Sequence, residues 1–205
     1  MLNIHTLTLG NYGTNCYIVN DSASKTCCVI DPGYTPEKIL DEVNALGLTV
    51  EAILLTHGHF DHITGVPELM ETCGTEPKVY MSHKDLELEA VFHENVALDP
   101  EMVTDWKDGD TVTMDSITFR VLETPGHTPG SVCLIAGDVI FSGDTLFQGS
   151  CGRTDFPGGS WTEMCASLRR LYELRGDYTV LSGHTGSTTL ERERKTNMFM
   201  QSALG

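Results

Sequence analysis

Seven consecutive residues, Thr56-His57-Gly58-His59-Phe60-Asp61-His62, place three imidazoles and one carboxylate directly after the apolar run Ala52-Ile53-Leu54-Leu55. These are the ligand types that borderline divalent metals prefer. Packed together away from water, each would lose hydration without gaining a partner, and a bound cation removes that conflict. A solvated polar loop accounts for a lone His-x-His, but not for four such groups in so short a stretch. Three further glycine-flanked segments carry the same chemistry: Gly126-His127-Thr128, Ser142-Gly143-Asp144-Thr145 and Ser182-Gly183-His184. Each follows an apolar run, Val121-Leu122, Val139-Ile140-Phe141 and Val180-Leu181 respectively. Strand-end loops that open on one rim can bring such residues to a single site.

Those loops need strands and helices to hold them. His5 to Leu9, Asn15 to Val19 and Thr26 to Ile30 read as strands, with Asp31-Pro32-Gly33 closing the third. Thr35 is placed to cap a helix beginning near Pro36, with Ile39, Leu40 and Val43 on its apolar face. Ala52 to Leu55 is a short buried strand, followed by a helix from about Ile63 to Thr72 and a strand near Lys78 to Met81. His83 to Phe92 is expected to be helical, and the stretch to Asp108 irregular and acidic. Thr111 to Met114 with Ile117 to Leu122, and Ser131 to Ala136 with Val139 to Phe141, form hairpins around Asp115-Ser116 and Gly137-Asp138. Trp161 to Leu174 is a helix capped by Ser160, with Glu163 completing the capping box. Tyr178 to Leu181 is the last strand, and Thr188 to about Gln201 a terminal helix with Glu191 three residues into it. Two runs of strands, each followed by helices, predict an α/β protein with two sheets face to face and helices outside.

The 205 residues fit one domain with a sizeable core, and 40% hydrophobic with 20% charged residues is an ordinary globular composition. A formal net charge of −16 repels polyanions, which argues against nucleic acid as the main partner. No basic leader followed by an apolar segment opens the chain, and no run approaches the ~20 apolar residues of a membrane helix. The seven cysteines form no Cys-x-x-Cys pair, which suits reduced thiols in a cytoplasm.

The ordered set Thr-His-x-His-x-Asp-His, Gly-His-Thr-Pro-Gly, Gly-Asp-Thr-Leu-Phe and Gly-His resembles the metallo-β-lactamase superfamily along nearly the whole chain. Within it the chain is most similar to the glyoxalase II (hydroxyacylglutathione hydrolase) branch, in its short, single-domain bacterial form. The segments from Gly149 to Gly159 and from Gly183 to Asn197 carry that part of the likeness. The resemblance implies a four-layer αββα sandwich, one domain over residues 1–205, and no C-terminal helical domain. It implies two divalent ions, zinc first, with iron or manganese also compatible with the donor set. Position by position, His57, His59 and His127 would bind one ion, Asp61, His62 and His184 the other, and Asp144 would bridge them.

Such a site lowers the pKa of a water and polarises a carbonyl, and Asp61 is the group to orient that water and handle its proton. A thioester suits this chemistry because a thiolate leaves readily. Arg153 stands where relatives place a basic residue against glutathione, and an ion pair with Asp155 competes equally with that role. Tyr12 is a second candidate for substrate contact. Cys151 reads as a packing residue rather than a nucleophile, since no neighbouring base accompanies it. His5, His83 and His93 match no ligand position, and the acidic segment with His93 is a candidate flap. The alternative on the same scaffold is a mononuclear Fe(II) persulfide dioxygenase, which shares the Gly152–Phe156 string and would use His57, His127 and Asp144 as its triad. True β-lactamases carry cysteine where Asp144 stands.

Overall fold

In the computed structural model, which describes residues 1–86, 88 and 98–205, the apolar segments pair into two six-stranded sheets. The first contains β1 (Leu2–Leu9), β2 (Thr14–Asp21), β3 (Thr26–Ile30), β4 (Thr49–Leu54), β5 (Lys78–Tyr80) and β6 (Val103–Thr104), in that spatial order. The pairs β1–β2 and β2–β3 are antiparallel, and those from β3 to β6 are parallel. The second contains β7 (Thr111–Met114), β8 (Ile117–Glu123), β9 (Val132–Ala136), β10 (Val139–Gly143), β13 (Thr179–Ser182) and β14 (Thr188–Thr189), in the order β14-β13-β10-β9-β8-β7. A small hairpin, β11 (Leu146–Phe147) with β12 (Ser150–Cys151), stands apart from both.

Three apolar cores explain the layering. Strand side chains alternate between faces, so Tyr17 and Val19 of β2 point one way while Cys16 and Ile18 point the other. The first pair joins Ile30 and Leu54 against Phe119, Val121, Leu134 and Phe141 of the second sheet, which makes the central core. The second pair joins Val29 and Ile53 beneath α1 (Pro36–Ala45) and α3 (Val66–Thr72) through Ile39, Val43, Val66 and Leu69. On the far side, Leu122, Cys133, Ile135, Ile140 and Val180 pack under α4 (Trp161–Tyr172), α5 (Leu190–Thr196) and α6 (Met198–Ala203). The order is therefore helix, sheet, sheet, helix, as the sequence pattern predicts. Central strands buried on both faces read as continuous apolar runs for the same reason.

Several local expectations are corrected. The helix expected from Ile63 to Thr72 is two, α2 (Phe60–Ile63) and α3. Gly65 lies between them with its N–H on the Pro32 carbonyl at 2.9 Å. A Cβ on Gly65 would stand 2.6 Å from that oxygen, so the break is a contact point as well as the N-cap of the next helix, which carries Pro67 in its first turn. The expected terminal helix also divides, because Asn197 ends α5 in extended backbone and caps α6, accepting from the N–H of Phe199 and Met200. Its start is capped by Thr189 rather than Thr188, which lies in β14. Thr35 adopts a left-handed conformation (φ 49°) and makes no side-chain cap to α1. Ser160 does cap α4, accepting from Glu163 N–H at 3.3 Å. Strand β6 and the β11–β12 hairpin were not expected. Of the helix expected at 83–92, His83–Asp85 is a single 3₁₀ turn, and 87 and 89–97, with His93, lie outside the described residues. Among the described residues no helix is long and apolar enough to cross a membrane.

Phe141 is fully buried and stacks edge-on to Tyr17 across the central core at 5.3 Å between ring centroids. Phe141→Ala is expected to cost about 3–5 kcal/mol, read as a lowered urea midpoint with an unchanged denaturant slope.

Candidate metal centre

Strand direction brings the candidate residues together. Strands β8, β10 and β13 run the same way, β8 and β10 through the antiparallel β9 and β10 with β13 directly. Their C-terminal ends therefore share a rim, and they deliver His127, Asp144 and His184. Strand β4 ends at the same rim of the facing sheet and delivers His57 to His62. The register of β10 against β13 shifts between Phe141 and Gly143, just before Asp144. Gly183 is required by contact: a Cβ there would lie 2.3 Å from Asp144 Oδ1 and 2.6 Å from a ring carbon of His62.

All seven residues meet. One ligand atom each from His57, His59 and His127 lie within 4.8 Å of one another, as do those of Asp61, His62 and His184, and those of His57, His62 and Asp144. Asp144 stands between the groups, with Oδ1 3.5 Å from His62 Nε2 and Oδ2 3.4 Å from His127 Nε2 and 3.5 Å from His184 Nε2. His59 Nδ1 and His127 Nε2 approach to 2.8 Å. Nitrogens sharing one tetrahedral metal at its usual bond length are ~3.4 Å apart, so in the metal-free chain this pair stands at hydrogen-bond distance, closer than two ligands on one ion.

The donor set fits a divalent cation. His57 Nε2, His59 Nε2, His62 Nε2 and Asp144 Oδ1 are buried polar atoms with no hydrogen-bond partner, an arrangement that proteins rarely leave uncompensated. The protonation pattern divides the cluster in two. Burial, then the neighbouring His62 and His127 imidazoles, push His57 well below the ordinary range, and burial with His127 pushes His59 down to about 3. Both are neutral at pH 7, the form that donates a lone pair. At His62 burial also opposes charge, yet Asp61, Asp31 and Asp144 push it up to about 10. At Asp61 burial is more than offset by His62, His184 and the Thr14 hydroxyl, which hold the carboxyl well below its usual range. The metal-free chain therefore holds a proton on His62 where a cation belongs.

Two buried aspartates hold the ligands, and the sequence pattern did not single out either one. Asp31, at the end of β3, accepts from Thr56 N at 2.8 Å, from Thr56 Oγ1 at 2.7 Å and from His62 Nδ1 at 3.0 Å. That bond fixes the His62 tautomer with Nε2 toward the cluster. In the sequence Asp31-Pro32-Gly33 looks like an ordinary turn, and only the parallel pairing of β3 with β4 shows what it faces. Asp85 accepts from Gly58 N at 2.9 Å, Thr128 Oγ1 at 2.6 Å and Gly130 N at 2.6 Å, tying the His57–His59 loop to the His127 loop. His127 Nδ1 in turn bonds the Arg153 carbonyl at 2.7 Å. The segment carrying Arg153 is held from the C-terminus, where Glu193 accepts from Gly149 N at 2.7 Å and Asn197 Nδ2 donates to Ser150 O at 2.9 Å.

The cluster opens into a cavity of about 410 Å³ whose wall includes Tyr12, Cys151 and Arg153. Tyr12 meets Phe60 edge-on at 5.3 Å. Arg153 lines the cavity and also pairs with Asp155 at 2.7 Å, so both roles weighed for it have a structural counterpart. Burial, with Cys165 nearby, pushes the Cys151 thiol up to about 11, which keeps it protonated and supports its reading as a packing residue. His5 pairs with Glu42 at 3.4 Å, and His83 bonds the Val103 carbonyl at 2.9 Å, both away from the cluster.

Comparison with known proteins bears on this arrangement. A family model described as the metallo-beta-lactamase superfamily matches residues 9–184. Hydroxyacylglutathione hydrolase GloC of Haemophilus influenzae is 32% identical over 98% of this chain and 99% of its own. Among solved structures, BLEG-1, a B3 metallo-beta-lactamase, superposes with a TM-score of 0.86 at 33% identity over 98% of this chain and 99% of its own. TTHA1623 in a di-iron-bound form gives 0.80 at 36% identity over 95% and 99%. ETHE1 from Myxococcus xanthus gives 0.79 at 30% identity over 95% and 83%.

Two outcomes follow from the geometry. Asp85→Ala strands the N–H groups of Gly58 and Gly130, since the Thr128 hydroxyl retains Ser131 Oγ at 2.7 Å, and is expected to cost about 2 kcal/mol or more, measured by urea unfolding, with a parallel loss of bound metal. Adding zinc to the metal-free protein at pH 7 in weak buffer is expected to release about one proton or more per chain, seen with a pH indicator. Because His62 is raised to about 10, the apparent metal affinity should rise with pH across the range below that value.

Proposed function

The chain belongs to the metallo-β-lactamase superfamily, and from that premise we propose that it hydrolyses a small-molecule thioester with two divalent ions. The observation that carries this reading is the convergence of His57, His59, Asp61, His62, His127, Asp144 and His184, several with buried, unpartnered polar atoms, in a cluster that borders a cavity. His57, His59 and His127 would hold one ion, Asp61, His62 and His184 the other, with Asp144 between. Seven ligands leave open positions for water and substrate. Zinc is the first expectation, and iron or manganese also suits these donors. The likeness to GloC over nearly both whole chains supports the thioester.

When bound, the ions supply carbonyl polarisation and a water nucleophile at neutral pH. The chain's own residues do the rest. Asp61 Oδ2 is fixed by Thr14 Oγ1 at 2.9 Å and faces His184 Nε2 at 3.2 Å, so it stays ionised and accepts a hydrogen bond from the attacking water. Asp31 and the Arg153 carbonyl hold the rings of His62 and His127 with Nε2 toward the cluster, where they would serve as ligands. The reaction forms one C–O bond from water, whose proton passes by way of Asp61 to the departing sulfur or to solvent, and breaks the acyl C–S bond, whose electron pair leaves on sulfur. A thiolate needs little protonation to depart, so the cavity requires no strong general acid.

A second reading, an Fe(II) persulfide dioxygenase using His57, His127 and Asp144, is favoured by the likeness to ETHE1. The test is metal content by elemental analysis beside turnover of S-D-lactoylglutathione and of its neutral counterpart, S-lactoyl-N-acetylcysteamine. Two ions per chain with cleavage of either thioester is the expected result. One iron per chain, no cleavage and oxygen uptake with glutathione persulfide would replace it with the dioxygenase. Opening of a cephalosporin ring with no thioester cleavage would align the chain with BLEG-1 instead. Asp144→Ala is expected to lose both ions and most turnover, and full metal content in that variant would refute the ligand assignment.

A further inference from the structure

The two groups of candidate ligands hang from different frameworks. In the first, Asp85 ties the loop of His57 and His59 to the loop of His127 through Gly58 N and Gly130 N. In the second, Asp61 and His62 follow a strand of one sheet and His184 follows a strand of the other, and β2 joins them although it carries no ligand itself. Its first residue, Thr14, is buried and donates from Oγ1 to Asp61 Oδ2 at 2.9 Å. That is the carboxylate oxygen that also stands 3.2 Å from His184 Nε2 and 3.6 Å from His62 Nε2. The next residue, Asn15, grips the His184 loop. Its backbone N–H donates to Gly183 O at 2.7 Å, and its Nδ2 donates to Ser182 O at 3.0 Å and Thr185 O at 2.9 Å. Thr8 Oγ1 donates to Asn15 Oδ1 at 3.1 Å, which turns the amide nitrogen toward those two carbonyls. Tyr17 donates from its hydroxyl to Ser182 O at 2.6 Å. Thr185 has φ 73°, a left-handed conformation that a β-branched residue adopts only when its surroundings hold it there. Asp31 and Asp144 touch both groups, so Asp85 and β2 are the supports particular to each.

Resting on the two-ion reading above, we propose that Thr14 and Asn15 are positioning residues for the second ion alone. They set how Asp61 and His184 face each other, and with that the occupancy of the Asp61–His62–His184 site, while the His57–His59–His127 site is held independently through Asp85. Thr14 occupies one lone pair of Asp61 Oδ2 and thereby aims the other. Asn15 fixes the backbone on both sides of His184, so the imidazole is presented from a rigid loop. Whether the chain holds one ion or two is then decided by a strand that touches no ion.

The experiment counts zinc per chain by elemental analysis after the zinc-loaded protein is equilibrated with chelator-buffered zinc. Two backgrounds separate the sites: His59→Ala leaves the second site to be measured, and His184→Ala leaves the first. Thr14→Val removes the hydroxyl and keeps the shape. It is expected to weaken zinc binding about tenfold in the His59→Ala protein and to leave it unchanged in the His184→Ala protein. Thr14→Ser keeps the hydroxyl and should retain the parent affinity in both. Asn15→Ala should act as Thr14→Val does, and it carries the test if Thr14→Val fails to fold, which urea unfolding of the metal-free variants shows. A merely structural role for β2 would weaken zinc equally in the two backgrounds, and Thr14→Ser would not restore it. Equal weakening, or no change in either variant, overturns this inference, while two zinc ions on the wild-type chain leave the two-ion reading intact. A wild-type chain that never holds more than one ion overturns both.

Discussion

Imidazole and carboxylate groups lose several kcal/mol of hydration on burial, and seven of them lie together at one rim of this sandwich. Only opposite charge makes that arrangement affordable. In the metal-free chain the compensation is partial: protonated His62 sits against Asp61, Asp31 and Asp144, while His57 and His59 stay neutral with unpartnered Nε2 atoms. A divalent cation satisfies both halves at once. The surrounding fold can be understood as the framework that holds these groups close against their mutual cost.

That framework works through buried acceptors placed one layer behind the ligands. Asp31 joins the end of β3 to Thr56 and His62, and Asp85 joins the two loops that carry His57, His59 and His127. On the other sheet, Asn15 Nδ2 reaches across to the carbonyls of Ser182 and Thr185 at 3.0 and 2.9 Å, which pins the loop of His184 to the start of β2. Glu193 and Asn197 do the same for the hairpin that leads to Arg153. Each ligand loop is thus tied to an element distant in sequence. A coordination shell assembled from both sheets therefore depends on their packing across Tyr17, Phe119 and Phe141.

The cavity above the cluster has a different character. Four aromatic rings line it beside the candidate ligands, and Arg153 in its wall is paired with Asp155. The candidate ligands His59, Asp61, His127, Asp144 and His184 line part of it, and the rings of Tyr12, Phe60, Phe147 and Phe156 line the rest together with Ser150, Cys151 and Arg153. That division allows a generic bond-breaking site to be combined with selection by shape.

The sequence by itself determined the residue types and their order. The His57–His62 cluster, the glycine-flanked His127, Asp144 and His184, and the apolar runs before them were enough to indicate a metal site and two layers of sheet. Local chemistry also set Ser160 as a cap and Gly137 as a turn, because those depend on neighbours a few residues away. Tertiary structure alone decided the rest. Asp31 and Asp85 look like turn and helix residues until strand pairing shows which backbone N–H groups lack acceptors. The breaks at Gly65 and Asn197 override helical periodicity, one through contact with Pro32 and the other through a cap and its bond to Ser150. Whether Arg153 meets a substrate or Asp155 depended on distances of a few ångströms that no spacing rule encodes, because burial, partner geometry and the direction of a side chain exist only once the layers are packed.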